Sequence, residues 1–478
     1  MTDPEQKNPR RKLSRRMFLE TATAATAFSI VPASVLAGGE ANPPSEKLNI
    51  AGVGVAGRGA AVLSSCETEN IVALCDVDSK YAAGTFKKYP QAKKYTDYRR
   101  MLDEEDIDGI VVATPDHLHA VVSKAAMDMG KHVYCEKPLT HKISEARALR
   151  EAAHKTGVAT QMGNHGHSSE AVRRLREWIR DGAIGQVREV HCWTTSPAGM
   201  WPQGIGRPRS KPPVPSHLDW DLWVGPAPMR PYHPIYHPNR WRGWWDFGMG
   251  ALGDMGCHVL DGPHYALQLG SPKTVKGTRA YLDDRRGAYK GGSGFDISID
   301  INGEKFSTQS SCSGPDAETA PLASVIRYEF PARGDMPPVA LTWWDGGLKP
   351  PVPTEMGQRL PAHGNLFIGD KGKIVCGTYG RDKWLMPKTR RDEYEPPEKS
   401  LPRVSGNHPQ NWIKACKGGE EACSNFDYAV PLVETVLLGT VALRTGKAIE
   451  WDAENMKARN PKEADLYIRH DYRKGWSL

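Results

Sequence analysis

The sequence lacks most of the features that mark a specialised class of protein. Its nine cysteines include no Cys-x-x-Cys pair and their number is odd, so neither a disulfide framework nor a thiolate metal cluster is expected. They read mainly as buried thiols; only closeness in sequence suggests a bridge between Cys416 and Cys423. No block of like charge follows Arg16. The formal net charge is +7, from 63 basic and 56 acidic residues. Residues 1–37 hold six basic and three acidic side chains, which leaves about +4 for the rest, too little for a nucleic-acid footprint. No internal repeat is present, and no segment reaches the roughly 18 unbroken apolar residues of a membrane span. What is present is length: 478 residues, 39% of them hydrophobic, enough for two domains.

The N-terminus reads as an address label. Ser14-Arg15-Arg16-Met17-Phe18-Leu19-Glu20 precedes an apolar, small-residue run, Thr21 to Ala37, that closes on Val35-Leu36-Ala37. This is the pattern of a twin-arginine (Tat) signal peptide over residues 1–37, followed by a linker at 38–46. It predicts a periplasmic or secreted bacterial protein, exported already folded.

From Leu48 an apolar strand runs into Gly52-x-Gly54-x-x-Gly57. A dinucleotide site asks for glycine at these places: for a tight turn, for close approach of backbone to pyrophosphate, and for helix–strand packing. A second apolar run, Ile71 to Cys75, ends at Asp76, where a carboxylate accepts from ribose hydroxyls and repels a 2′-phosphate. That favours NAD over NADP, although Arg58 would suit a 2′-phosphate. Further strands, Gly109 to Ala113 and Lys131 to Cys135, end at Thr114-Pro115-Asp116-His117-Leu118-His119 and at Glu136-Lys137-Pro138. Apolar strands alternating with amphipathic helices predict a doubly wound parallel sheet, whose ligands sit beyond the strand carboxyl ends. The expected cofactor contacts are Gly52, Gly54, Ala56, Gly57, Arg58, Asp76, Thr114, Pro115, His119, Glu136 and Lys137.

Together with Gly130-Lys131-His132-Val133, these motifs resemble the Gfo/Idh/MocA family of nicotinamide-dependent sugar and polyol oxidoreductases. The resemblance is strong to about Gly163 and looser beyond. It implies an α/β fold: a Rossmann domain at 47–164, then at 165–478 a C-terminal α/β domain with a large, open, mostly antiparallel sheet. That sheet often serves as an oligomer interface, so a homo-oligomer, dimer or tetramer, is expected. It also implies that Lys137 lies near nicotinamide and substrate.

Asp254 and His258 stand four apart on a helix predicted to run toward Leu269, so both lie on one face, where the carboxylate orients the imidazole. The resemblance implies His258 as acid/base and Asp254 as its neighbour or a substrate ligand. Alcohol oxidation removes a hydride from carbon and a proton from oxygen; His258 suits the proton, and Lys137 the charge developing on oxygen. Asn164 and His165 follow a strand predicted at Val158 to Met162 and are expected to bind substrate. His165-x-His167 has no carboxylate or cysteine cluster beside it, so no metal is assigned.

Seven of the fourteen tryptophans (193, 201, 220, 223, 241, 244, 245) fall between His191 and His258. Their faces suit sugar rings, while Trp-anchored loops or a subunit contact account for them equally well. The expected function is NAD-dependent hydride transfer on a sugar, sugar derivative or polyol. Export argues for a retained cofactor recycled within each turnover. Two alternatives stand beside it: an NAD-dependent glycosidase acting by transient oxidation, elimination and re-reduction, and a non-catalytic dinucleotide-binding protein on the same fold.

Overall fold

The structure, a computed structural model, describes residues 46–208, 210–281, 296–301, 304–309 and 318–478. The export signal expected at 1–37 and nearly all of the linker lie outside the described residues.

Six short strands form the first sheet: β1 (Asn49–Val53), β2 (Asn70–Cys75), β3 (Lys93–Tyr95), β4 (Gly109–Val112), β5 (His132–Cys135) and β6 (Thr160–Met162). All pair in parallel, in the order β3-β2-β1-β4-β5-β6. This is the doubly wound order of dinucleotide-binding sheets. The central strands are apolar through their whole length because helices cover both faces; Ile110, Val112 and Val133 are fully buried. The covering helices include α1 (Arg58–Ser64), α2 (Asp116–Asp128) and α3 (Ile143–Thr156). Helix α2 begins at Asp116, directly after Pro115, whose fixed φ of −59° suits a helix start.

The second sheet has nine strands: β7 (Val187–Trp193), β8 (Thr274–Ala280), β11 (Ala323–Phe330), β12 (Val339–Trp344), β13 (Gly364–Gly369), β14 (Lys373–Cys376), β15 (Trp384–Met386), β16 (Ile449–Asp452) and β17 (Lys457–Asn460). A separate antiparallel hairpin joins β9 (Asp296–Ile301) to β10 (Glu304–Gln309). Within the nine-stranded sheet every pairing is antiparallel except β7 with β12. The fold is the expected parallel Rossmann sheet joined to a large, mostly antiparallel one.

Helices α4 (Gly250–Val259) and α5 (Asp261–Leu267) replace the single helix expected toward Leu269; the break falls at Leu260. Asp261, at the start of α5, is completely buried. It accepts hydrogen bonds from Asn164 Nδ2 at 2.8 Å and the Tyr428 hydroxyl at 2.8 Å, and pairs with His167 Nδ1 at 3.0 Å. One carboxylate thus ties the loop after β6 to two helices.

Near the C-terminus, α6 (His408–Cys416) returns to the first sheet and α7 (Phe426–Thr445) packs on α3, α4 and β8. Helix α7 is long and apolar enough to cross a membrane, yet 83% of its apolar window is buried inside the protein. Its one buried acid, Glu434, is saturated by Arg147 at 2.9 Å, Ser271 at 2.9 Å and the Trp451 indole at 2.9 Å. A buried charge held this way belongs to a protein core. The eight described cysteines are free thiols, so no Cys416–Cys423 bridge forms.

Candidate functional site

A cavity of about 310 Å³ opens beyond the carboxyl ends of the parallel strands. At one end lies the glycine turn. Gly54 has φ +74°, and a Cβ there would sit 2.7 Å from the Ala113 carbonyl and 2.8 Å from the Thr114 amide, so only glycine lets these two strand ends meet. Asp76, at the end of β2, accepts the Val55 amide at 2.9 Å on one oxygen and the Asp78 amide at 3.0 Å on the other. Each oxygen retains a lone pair for a further donor. Burial raises its pKa, opposed by these backbone bonds.

At the other end, Lys137 follows β5 and reaches α4. Its ammonium donates to the Asp254 carboxylate at 2.9 Å and to the Asp254 carbonyl at 2.8 Å, leaving one proton unengaged. Arg242 Nε donates to the same carboxylate oxygen at 3.1 Å. Burial disfavours the Asp254 charge, but Lys137 and then Arg242 outweigh it and hold the carboxyl well below its usual range. Asp116 lies in the same wall, and burial pushes its carboxyl up to about 8, with Arg242 and Lys137 opposing the rise. The two acids therefore carry opposite protonation states at neutral pH.

One helical turn after Asp254, His258 is buried, and its Nδ1 is hydrogen-bonded to the Tyr379 hydroxyl. Burial and the Lys137 charge hold the imidazole well below its ordinary pKa, so it is neutral at physiological pH. The sequence reading had Asp254 orienting this imidazole. Among the described residues no hydrogen bond joins them: the two cations occupy the carboxylate, and Tyr379 orients the ring. His165 stands edge-on to His258, with ring centroids 5.5 Å apart, in the cavity wall.

A roof covers the nucleotide end. Trp220, Trp223, Tyr236, Trp241, Trp244 and Phe247 form a separate aromatic core within the segment 218–247, and Trp223 stacks on Trp220 with centroids 4.5 Å apart. The segment is pinned to the first sheet by Asp78, which pairs with His217 at 2.9 Å and His237 at 2.8 Å. Of the seven tryptophans in the rich segment, Trp223 and Trp241 line the cavity. The other five are buried in packing, the structural role for most of the cluster.

The expected cofactor contacts Gly54, Ala56, Gly57, Arg58, Asp76, Thr114, Pro115, His119, Glu136 and Lys137 all line this cavity. Gly52 instead faces Leu63 and Val55 beneath the turn. Arg58 Nε donates to Glu136 at 2.8 Å, while the side chain stays partly exposed. His119 has its ring nitrogens 2.7 Å from the Pro138 carbonyl and 2.8 Å from the Thr114 carbonyl, and its neutral ring donates its single N–H to one of them. It joins two strand ends and offers neither nitrogen to the cavity. Asn164, expected to bind substrate, is completely buried between Asp261 and Ser424, because the loop after β6 turns it inward and its neighbour His165 outward. Among the described residues no cluster of metal-ligating side chains occurs. The sequence reading missed Arg242, Asp116 and Tyr379. Arg242 stood inside the Trp-rich segment and Asp116 beside Thr114-Pro115, but Tyr379 carried no local signal.

Thr114 Oγ1, Trp223 Nε1 and His237 Nδ1 are buried in the cavity wall without a hydrogen-bond partner among the described residues. With the Asp76 carboxylate they form a donor and acceptor set that fits a ribose-bearing ligand.

Comparison with known proteins agrees with this fold. Residues 47–164 match the GFO_IDH_MocA family, described as an oxidoreductase family with an NAD-binding Rossmann fold, and residues 170–278 match the family's C-terminal alpha/beta domain. The chain is 26% identical over 194 residues to levoglucosan dehydrogenase of Pseudarthrobacter phenanthrenivorans, a stretch covering 41% of this chain and 42% of that protein. It is 32% identical over 152 residues to inositol 2-dehydrogenase of Salmonella typhimurium, covering 30% of this chain and 44% of the relative. The match thus spans less than half the length of either curated relative. Among solved structures, the WlbA dehydrogenase of Bordetella pertussis in complex with NADH and UDP-GlcNAcA superposes with a TM-score of 0.55 at 16% identity, covering 85% of this chain and 99% of that one. Levoglucosan dehydrogenase in complex with NADH superposes with a TM-score of 0.52 at 16% identity, covering 84% of this chain and 98% of the other.

Proposed function

We propose that this protein, whose residues 47–164 match the GFO_IDH_MocA family, is an NAD-dependent oxidoreductase acting on a hydroxyl-bearing carbon of a sugar, sugar derivative or polyol. One observation carries the reading: the glycine cradle, Lys137 and His258 open into one cavity. NAD, when bound, supplies the hydride acceptor. Asp76, Thr114 and the Gly54–Arg58 turn would hold it, and the Asp76 carboxylate, which repels a 2′-phosphate, supports NAD over NADP.

The remaining work falls to the chain's own side chains. His258, kept neutral by burial, takes the hydroxyl proton at Nε2, while its Nδ1–H is donated to Tyr379. Lys137 directs its free N–H at the substrate oxygen, where it stabilises developing negative charge. Asp254 fixes that ammonium, and Arg242 fixes Asp254. The same groups acting in reverse serve carbonyl reduction.

The aromatic roof supports a retained cofactor, as a redox-neutral cycle in an exported protein requires. In this reading residues 1–37 are a twin-arginine signal that directs the folded protein to the periplasm or exterior, residues 38–46 are a linker, the domain boundary falls near 164, and the open sheet pairs subunits. The test is to denature the purified protein and assay the released nucleotide, then to follow nicotinamide absorbance with a panel of sugars and polyols. Stoichiometric NAD and its reduction by at least one of them is the expected result; absence of any redox change with every member overturns the reading.

A further inference from the structure

We propose that the substrate of this site is an acidic sugar, one bearing a carboxylate in the manner of a uronic acid, and that Arg242 receives that carboxylate. This rests on the oxidoreductase reading above and narrows its substrate class.

The reactive end holds more cation than its carboxylates can neutralise. Arg58 is matched by Glu136 at 2.8 Å. Lys137 and Arg242, by contrast, converge on one oxygen of one carboxylate, Asp254 Oδ1, at 2.9 and 3.1 Å. The other acid in the wall, Asp116, is fully buried and protonated at neutral pH, its carboxyl lying at about 8. One positive charge is left over.

Arg242 is built to present it. Its Nε goes to Asp254 and its Nη1 to the Asn239 carbonyl at 3.1 Å, while Nη2 bonds to nothing among the described residues. The guanidinium lies over the Trp241 ring, 4.5 Å from its centroid, so it is held in place before any ligand arrives. Its side chain is 27% exposed, on the wall of the cavity. A neutral polyol would leave the guanidinium sharing its one counter-charge, Asp254, with Lys137 and its Nη2 unbonded, whereas a carboxylate supplies a charge-assisted hydrogen bond.

The test uses the full purified protein with matched pairs, glucose against glucuronate and galactose against galacturonate, read as kcat/KM from nicotinamide absorbance. The expected outcome is a preference for the uronate of at least about tenfold that declines with ionic strength. In Arg242→Gln the ratio falls toward one, and in Arg242→Lys part of it is kept. Aldoses turned over as well as or better than uronates would overturn the proposal and leave the oxidoreductase reading standing. A ratio unchanged in Arg242→Gln, or loss of bound NAD from that variant, would also overturn it, the latter by giving Arg242 to the nucleotide. If Arg242→Gln does not fold, the wild-type ratio and its salt dependence decide. No reduction by any sugar or polyol overturns the underlying reading, and this one with it.

Discussion

At the nucleotide end of the cavity, the Gly54 turn, Asp76 and Thr114 come from successive strand ends of one parallel sheet, each placed by its own short β–loop unit. At the reactive end, the residues come from three segments far apart in the chain, Lys137, then Arg242, Asp254 and His258, then Tyr379, and meet only when both sheets are formed. The first end is fixed by backbone shape; the second is fixed by side-chain charge and hydrogen bonding. Damage should therefore differ in kind: loss of binding at one end, loss of turnover with binding intact at the other.

The largest expected effect is that of Gly54→Val. A side chain there meets the backbone of Ala113 and Thr114 at 2.7 to 2.8 Å and carries an unfavourable φ of +74°. We expect no nucleotide to co-purify and stability to fall by roughly 2–3 kcal/mol or more, read by urea denaturation. Bound NAD in this variant would break the comparison. Next, Lys137→Met removes the free donor at the substrate oxygen and is expected to lower kcat about 10²- to 10⁴-fold while bound NAD stays stoichiometric; parallel loss of the nucleotide would show that the two ends are not separable.

Tyr379→Phe sharpens the picture further. Without the hydroxyl that accepts from Nδ1–H, protonated His258 is less stabilised. We expect kcat to drop roughly tenfold with little change in KM, as for one lost hydrogen bond of about 1.4 kcal/mol, and the acid limb of the pH–rate profile to move to lower pH. A merely structural tyrosine would leave that limb in place.

The smallest effect on turnover at neutral pH is expected for Asp116→Asn, which replaces a protonated acid of the folded state by a neutral amide. Its carboxyl is raised from 3.8 to about 8, so between those values the folded protein binds more protons than the unfolded chain. Stability contributed by this group therefore falls as pH rises through that window. The asparagine variant should flatten the decline in urea midpoint from pH 4 to 8, and an unchanged slope would show that Asp116 ionises freely.

The nucleotide end was largely legible in the sequence because its chemistry sits on consecutive residues: a strand, then glycines, then a carboxylate at the next strand end. The fold class was legible for the same reason, through alternating apolar runs. The spacing of Asp254 and His258 put both beside the cavity, but spacing alone does not say which partner a carboxylate takes, and two cations held Asp254 more strongly than the imidazole could. Asn164 and His165 show the limit in miniature: adjacent residues in one loop face opposite ways, and only buried Asp261 decides which. Tyr379 reaches His258 from just after β14, across a tertiary contact that no local pattern encodes.

The last part of the chain finishes the first domain. Trp412 on α6 is wholly buried against the parallel sheet, edge-on to Tyr134 with centroids 5.9 Å apart. Nearby, His408 Nε2 meets the Met162 carbonyl at 2.8 Å, and Lys417 pairs with Glu69 at 2.8 Å. During synthesis, then, the ribosome releases the Rossmann strands long before the wedge that seals them. A fragment ending near residue 400 leaves an apolar face of that sheet open to water, and the nucleotide end stays unfinished until residues 408–417 have been made.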